Sequence, residues 1–351
     1  MSVTENPTPA GAPTPSSITQ RARALLLSQE SILGLILILA VFILASRSDR
    51  FLTPENILNQ GRLMAEVALI ALPMTFIIIT GGIDLSVGAI FGLCAIMLGW
   101  TWENICLEPL ALRTRGMECL TTFPLELSIV FALLVGVLAG FFNGLFIVRV
   151  KVPPLIMTLA TLALFRGLAE GISQSRSVRG YPDWFYQLGQ GSWGGLPTQL
   201  WFVIISVIIF AILLSRTTFG RSLYAIGNNE LGARFSGIPV DRYKLIIYSL
   251  SGLMAAIAAW IFVSRVSTTR SDMGTGLELD VIAAVVLGGT SIFGGTGSIV
   301  GTVIGFTTIQ LLKNGLSLAG VTGDATIIVV GLVLILSILI NGFIQRRLGA
   351  R

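Results

Sequence analysis

The chain has no histidine, only three cysteines and only 12% charged residues, about half the charge of an ordinary soluble domain. Each scarcity excludes a chemistry. Cys94, Cys106 and Cys119 lack the close pairing of a structural metal site, and without histidine neither a hydrolytic triad nor an imidazole metal centre is expected. None of Lys151, Lys244 or Lys313 closes a GxxxxGK[ST] phosphate loop, so no ATP hydrolysis by this chain is expected. The first two dozen residues, with Pro7, Pro9, Pro13 and Pro15 among Ser, Thr and Ala, lack the apolar core and cleavage site of a signal peptide. They read as a disordered tail over 1–30. Net charge is +5, but the basic residues are scattered over loops and tails without an aromatic-rich groove, which argues against a nucleic-acid partner.

What the chain has is apolar surface: 54% hydrophobic residues and a mean hydropathy of +0.85. Apolar runs, several of them long enough to cross a bilayer, recur at about Ile32–Ala45, Leu63–Thr80, Leu85–Trp102, Leu125–Val148 and Leu155–Ile172. A second series covers Leu200–Ser215, Leu245–Ser264, Val281–Phe293, Ile299–Leu312 and Ile327–Phe343. The expectation is an all-α polytopic bundle over 31–345 with about ten membrane helices and a basic tail at 346–351. An even count puts both ends on one side. With the ends in the cytoplasm, twelve of the 23 Lys and Arg fall inside, among them a cluster of five in one loop, which is the orientation that positive-inside bias favours. The aromatics Tyr181, Trp184, Tyr186 and Trp193 then lie in an outer loop, as interfacial anchors or as a docking surface.

Two interruptions carry the functional argument. Gly81, Gly82, Asp84, Ser86 and Gly88 separate two apolar runs, and Gly288, Gly289, Gly294 and Gly295 separate two others in the second half. Irregular backbone and a carboxylate at membrane depth are tolerated only when buried in protein or facing water, and paired glycine-interrupted segments mark the binding region of many transporters. Glycines alone also serve close helix packing; Asp84 is not needed for that, and it either caps the next helix, lines a path or gates it. Arg166 and Glu170, four apart on one helix, are expected to form a local ion pair. Glu66, Asp280 and Asp324 also stand near helices, at a depth hydropathy does not fix.

The inward loop 216–244 holds five basic residues, Arg216, Arg221, Arg234, Arg242 and Lys244, against Glu230 and Asp241. Asn228 and Asn229 suit a cap, Glu230–Phe235 suits a short helix, and Gly237 with Pro239 ends it. Such a helix either lies on headgroups or docks into a soluble partner. In the outer loop, Cys106 and Cys119 are 13 positions apart and form either a disulfide or two free thiols.

GGIDLSVG at 81–88, AIGNNELGARFSGIPV at 225–240 and AAVVLGGTSIFGGTGSIVGTVIG at 283–305 resemble the permeases of ribose-type ABC importers, which serve monosaccharides, polyols and the autoinducer-2 sugar derivative. The likeness runs from about Arg50 to Arg347. It implies a type II importer-like fold in a bacterial inner membrane and two permease subunits, identical or related, around one path. It also implies a separate ATP-binding subunit and a periplasmic sugar-binding protein. Within it, Gly227, Asn228, Glu230, Arg234, Phe235 and Gly237 belong to the segment that contacts the ATPase. ATP is then used by the partner, and this chain binds no cofactor. The rival class is a secondary carrier without an ATPase.

Overall fold

The computed structural model describes residues 29–46, 48–105, 123–326, 328–332 and 335. Residues 1–28, the basic tail at 346–351 and the pair Cys106 and Cys119 lie outside them. The described chain is built from helices α1 Gln29–Ala45, α2 Pro54–Leu63, α3 Ala65–Ile79, α4 Val87–Asn104, α5 Leu125–Leu145 and α6 Pro154–Ser173. The second half continues with α7 Asp183–Gln190, α8 Thr198–Arg216, α9 Thr218–Asn228, α10 Glu230–Phe235, α11 Val240–Val266, α12 Leu277–Leu287 and α13 Ile299–Leu318. The short strands β1 Val178–Arg179 and β4 Thr268–Thr269 pair antiparallel and join two loops at one end of the bundle, while β2 Ser192–Trp193 and β3 Leu196–Pro197 form a hairpin.

The helices sort by how apolar they are around their circumference. α3 is hydrophobic on every face, and all its residues except Val67 are buried, as a helix at the centre of a bundle must be. α5, α6 and α8 instead leave Leu134, Leu138, Leu159, Ile205, Ile208 and Ile212 exposed, the apolar outer belt of a helical bundle long enough to cross a membrane. Lipid provides no hydrophobic drive between helices, so close approach needs small residues. Gly136 and Gly140 on α5 supply it against α11: an added Cβ on either would overlap the carbonyl oxygens of Gly252 and Tyr248 respectively, and one on Gly252 would overlap the oxygen of Gly136. Gly252→Val is therefore expected to destabilise the bundle by about 1–3 kcal/mol, seen as a lower melting temperature of the purified protein in detergent, whereas Gly167→Ala, with open space around it, leaves it unchanged.

Five described helices are long and apolar enough to cross a membrane, or six if α2 and α3, bent by 50°, act as one span. The polytopic helical bundle is as expected; a count of ten is not reached among the described residues. Part of the difference lies at Val281–Phe293. Its helix α12 stops at Leu287 after 11 residues, about 16 Å, because Gly289 turns into the left-handed region (φ +90°). The stretch is thus a half-span followed by a glycine loop. Of the expected crossing at Ile327–Phe343, only 328–332 and 335 are among the described residues.

Candidate functional site

The three sequence motifs, separated by more than 200 positions, meet at one backbone oxygen. The Ile79 carbonyl ends α3 and so has no helical donor of its own; it accepts the Gly295 N–H at 2.9 Å. Gly81 and Gly294, both at positive φ, bring the two glycine breaks together, with an ideal Cβ of Gly294 3.1 Å from Gly81 N. Gly227, near the C-terminal end of α9, closes the same point: a Cβ there would overlap the Ile79 oxygen and stand 2.6 Å from Gly295 N. The Tyr224 hydroxyl, one turn earlier, donates to the Gly297 carbonyl at 2.7 Å. Glycine is required here because three backbones share a space that no side chain fits.

Asp84 lies beyond this junction and is fully buried. Its Oδ1 accepts the Ser86 backbone N–H at 3.0 Å and the Ser86 hydroxyl at 2.6 Å, and its Oδ2 accepts the Ser251 hydroxyl at 3.2 Å. Asn143 on α5 donates to Ser86 Oγ at 2.8 Å. The carboxylate therefore closes its own turn and ties it to α11; it reaches the residue before α4 and not the first-turn donors inside that helix, so it is not the helix cap that one reading of the sequence expected. Nor does it face an open path. Ser251 is eleven residues along α11, about 16 Å from Val240, well inside a hydrocarbon core of about 30 Å. Two buried atoms of this cluster, Asn143 Oδ1 and the Tyr248 hydroxyl beside Gly82, have no hydrogen-bond partner among the described residues.

The other glycines divide by role. Gly88 lets the start of α4 approach the loop before α12, since a Cβ there would overlap the Gly274 carbonyl and the Glu278 carboxylate. Gly288 packs directly on Gly301, the packing role that glycines alone suggested. Arg166 corrects another expectation: its guanidinium donates to the carbonyls of Ser271 and Met273 at 2.5 and 2.8 Å and to that of Gly88 at 3.4 Å, and it makes no salt bridge with Glu170. Three carbonyls converging across the helix boundary outbid a carboxylate on the same exposed helix face.

The loop 216–244 has the expected helix. Asn229 caps α10 by accepting the Gly232 N–H at 2.9 Å, and Gly237 ends it at φ +82°. Arg234 donates to Glu230 at 3.0 Å and to Asp241 at 2.5 Å, and Lys244 reaches Glu230 at 2.7 Å. Partial burial would raise the Glu230 pKa, but these cationic donors outweigh it and hold it below the usual value. The pairs that anchor α10 are thus fully formed at neutral pH and are lost only as pH falls through that lowered value. Phe235 and Leu231 project from the same helix, 90% and 68% exposed. Asn228 ends α9, its side chain turned back to the Tyr224 carbonyl at 2.8 Å and near Gly295.

Sequence reasoning missed Ser251, Asn143 and Tyr248, which complete the Asp84 cluster from α11 and α5. Asn143 is one polar residue in an apolar run, and Tyr248 and Ser251 share the short polar stretch Tyr248-Ser249-Leu250-Ser251 inside another; that is the only signal the sequence carried. In the segment 173–198, Trp184 and Trp193 are exposed, but Tyr181 is buried, stacked between Trp102 and Phe185 with its hydroxyl on Thr269 Oγ1 at 2.6 Å.

A family model described as the permease component of the branched-chain amino acid transport system matches residues 56–338. The chain is 41% identical over 307 residues to the ribose import permease of Bacillus subtilis strain 168, covering 87% of this chain and 90% of that protein. It is 36% identical over 323 residues to the ribose import permease of Escherichia coli K12, with 91% and 95% covered. With the autoinducer 2 import system permease LsrC of Photorhabdus laumondii it shares 33% over 319 residues, 91% of each chain. No solved structure matches.

Proposed function

We propose, from the premise that this chain belongs to the family of branched-chain amino acid transport system permease components, that it is the membrane-spanning subunit of an ATP-driven importer of a monosaccharide or a close sugar derivative. The ribose and autoinducer 2 import permeases to which it is similar along nearly its whole length support that substrate class. The observation that carries the coupling is the junction at Ile79, where the end of α9 meets the last carbonyl of α3 and the second glycine break, which itself packs on Gly81. A force applied to the inward loop reaches the ends of α3 and the loop before α13 without passing through a flexible segment.

On this reading an ATP-binding subunit, which uses the nucleotide, seats α10 with Phe235 and Leu231 in a cleft. Its closure moves α9, and the junction re-aims the helix ends around the path. The Asp84 cluster, with two unspent hydrogen-bonding atoms near the middle of the bundle, is the element that exchanges partners. A periplasmic sugar-binding protein delivers solute to the opposite face, a second permease, identical or related, completes the path, and both termini lie in the cytoplasm of a bacterial cell whose inner membrane holds the assembly. No covalent step is needed. ATP and loaded binding protein each shift the equilibrium only by binding one conformation better than the other.

The test is co-purification and uptake in vesicles holding the full assembly. Phe235→Asp is expected to release the ATPase and abolish ATP-dependent uptake, because a few well-packed anchors carry most of an interface. Arg221→Ala is expected to cost about 0–1 kcal/mol, most visibly at low salt, where an exposed ion pair is least screened. Retention of the ATPase and of coupled activity by the Phe235→Asp protein overturns the docking role, and uptake that persists with no ATPase present favours a secondary carrier.

A further inference from the structure

Four charged side chains outside the Asp84 cluster line one cavity of about 260 Å³ at the far end of the bundle. Glu66 Oε1 accepts both Arg265 Nε at 3.0 Å and Arg265 Nη2 at 2.9 Å, and Lys313 donates to Asp280 at 2.6 Å. The rings of Phe91 and Phe262 complete the wall, 5.4 Å apart and edge to face. Phe262 is 22 residues beyond Val240 on α11, about 33 Å along the helix. The cavity and the α9–α10 loop therefore lie at opposite ends of the spanning structure, with Asp84 between them.

These charges are more than tethers between helices. Two ion pairs in a membrane bundle carry a large desolvation cost, and apolar packing would join the helices as well. They are also not fully spent. The Lys313 ammonium has three donors and its one hydrogen bond among the described residues is to Asp280, and both residues keep about a third of their side-chain surface open, 32% and 31%. Anionic acceptors, cationic donors and aromatic faces around one space are the chemistry that holds a polyhydroxylated ring. By volume, at about 30 Å³ per water molecule, the cavity holds roughly nine waters or one sugar of about ten heavy atoms. An anion would meet Glu66 and Asp280, and an apolar solute would leave the ion pairs unpaid; a neutral polyol satisfies both signs.

We infer that this cavity is a solute subsite, in which Lys313, Asp280 and Glu66 hydrogen-bond the hydroxyls of a neutral monosaccharide handed over at the face opposite the ATPase. The inference rests on the importer reading above and adds the residues that meet the solute. It is weak binding by design, since a solute that must move on cannot be held tightly.

The experiment uses the full assembly in vesicles with radiolabelled ribose as probe, measuring uptake alongside ATPase activity stimulated by loaded binding protein. Lys313→Met and Glu66→Gln are expected to lower uptake at least tenfold while stimulated ATPase stays within twofold of the unaltered assembly. Thr275→Trp places bulk at the exposed mouth of the cavity and leaves both ion pairs intact. It is expected to block uptake equally, which separates occlusion from misfolding. Normal uptake by Thr275→Trp together with either charge variant overturns the subsite and leaves the importer reading standing. Loss of ATPase stimulation in step with uptake also overturns it, since the residues then act on assembly. Absence of ATP-dependent uptake by the unaltered assembly overturns the importer reading, and the subsite with it.

Discussion

Replacing Asp84 by alanine is expected to reduce uptake at least about 100-fold while the permease still assembles with its partners, and Asp84→Asn is expected to retain most of it. Alanine leaves the Ser86 N–H, the Ser86 hydroxyl and the Ser251 hydroxyl facing an empty acceptor site in a region without water. Each unsatisfied buried donor costs about 1–3 kcal/mol. Three of them exceed the free energy that separates two conformations of a transporter, so one conformation is lost before the bundle itself is. Asparagine keeps one carbonyl oxygen for both Ser86 donors, and its amide can donate to Ser251 Oγ. The measurement is uptake in vesicles together with size-exclusion profiles of the purified assembly. Ordinary uptake by Asp84→Ala removes the residue from the mechanism, and equal loss in both variants assigns the role to charge instead of acceptor geometry.

The second large effect is expected at Gly227. A single methyl group there overlaps the Ile79 carbonyl oxygen and crowds Gly295 N at 2.6 Å, and neither contact is a flexible side chain that can swing away. Gly227→Ala therefore forces α9 off the junction and breaks the Ile79–Gly295 hydrogen bond. Because Phe235 is 90% exposed and no residue of α10 takes part in the Gly227 contact, the ATPase should still dock. The expected result is uncoupling: ATPase activity remains but no longer rises with loaded binding protein, and uptake falls at least tenfold. Gly232→Ala is the control, since its added carbon meets only the side chain of Asn229, at 3.2 Å or more. Uptake that tracks stimulated ATPase in the Gly227→Ala protein shows that force reaches the breaks by another route.

Much of the candidate site was legible because its parts are written locally. Gly81 and Gly294 stand where the chain must turn at positive φ, Asn229 and Gly237 bound a six-residue helix whose ends follow capping rules, and Asp84 is conspicuous in an apolar segment. What could not be read was pairing. The expected Arg166–Glu170 pair failed because the loop carbonyls that capture Arg166 come from Ser271 and Met273, over 100 positions away.

By itself the sequence determined that this is a bundle of membrane helices, where its two breaks fall and where the inward helix begins and ends, since hydropathy and capping act within one or two turns. Only the tertiary structure decided that α12 stops halfway, that the second break and Gly227 share the Ile79 oxygen, and that Asp84 answers to Ser251, 167 residues later. The physical reason is that in lipid every helix is apolar outside. The contacts that choose between packings are then a few glycines and single polar groups, and their partners are set by which helices happen to touch.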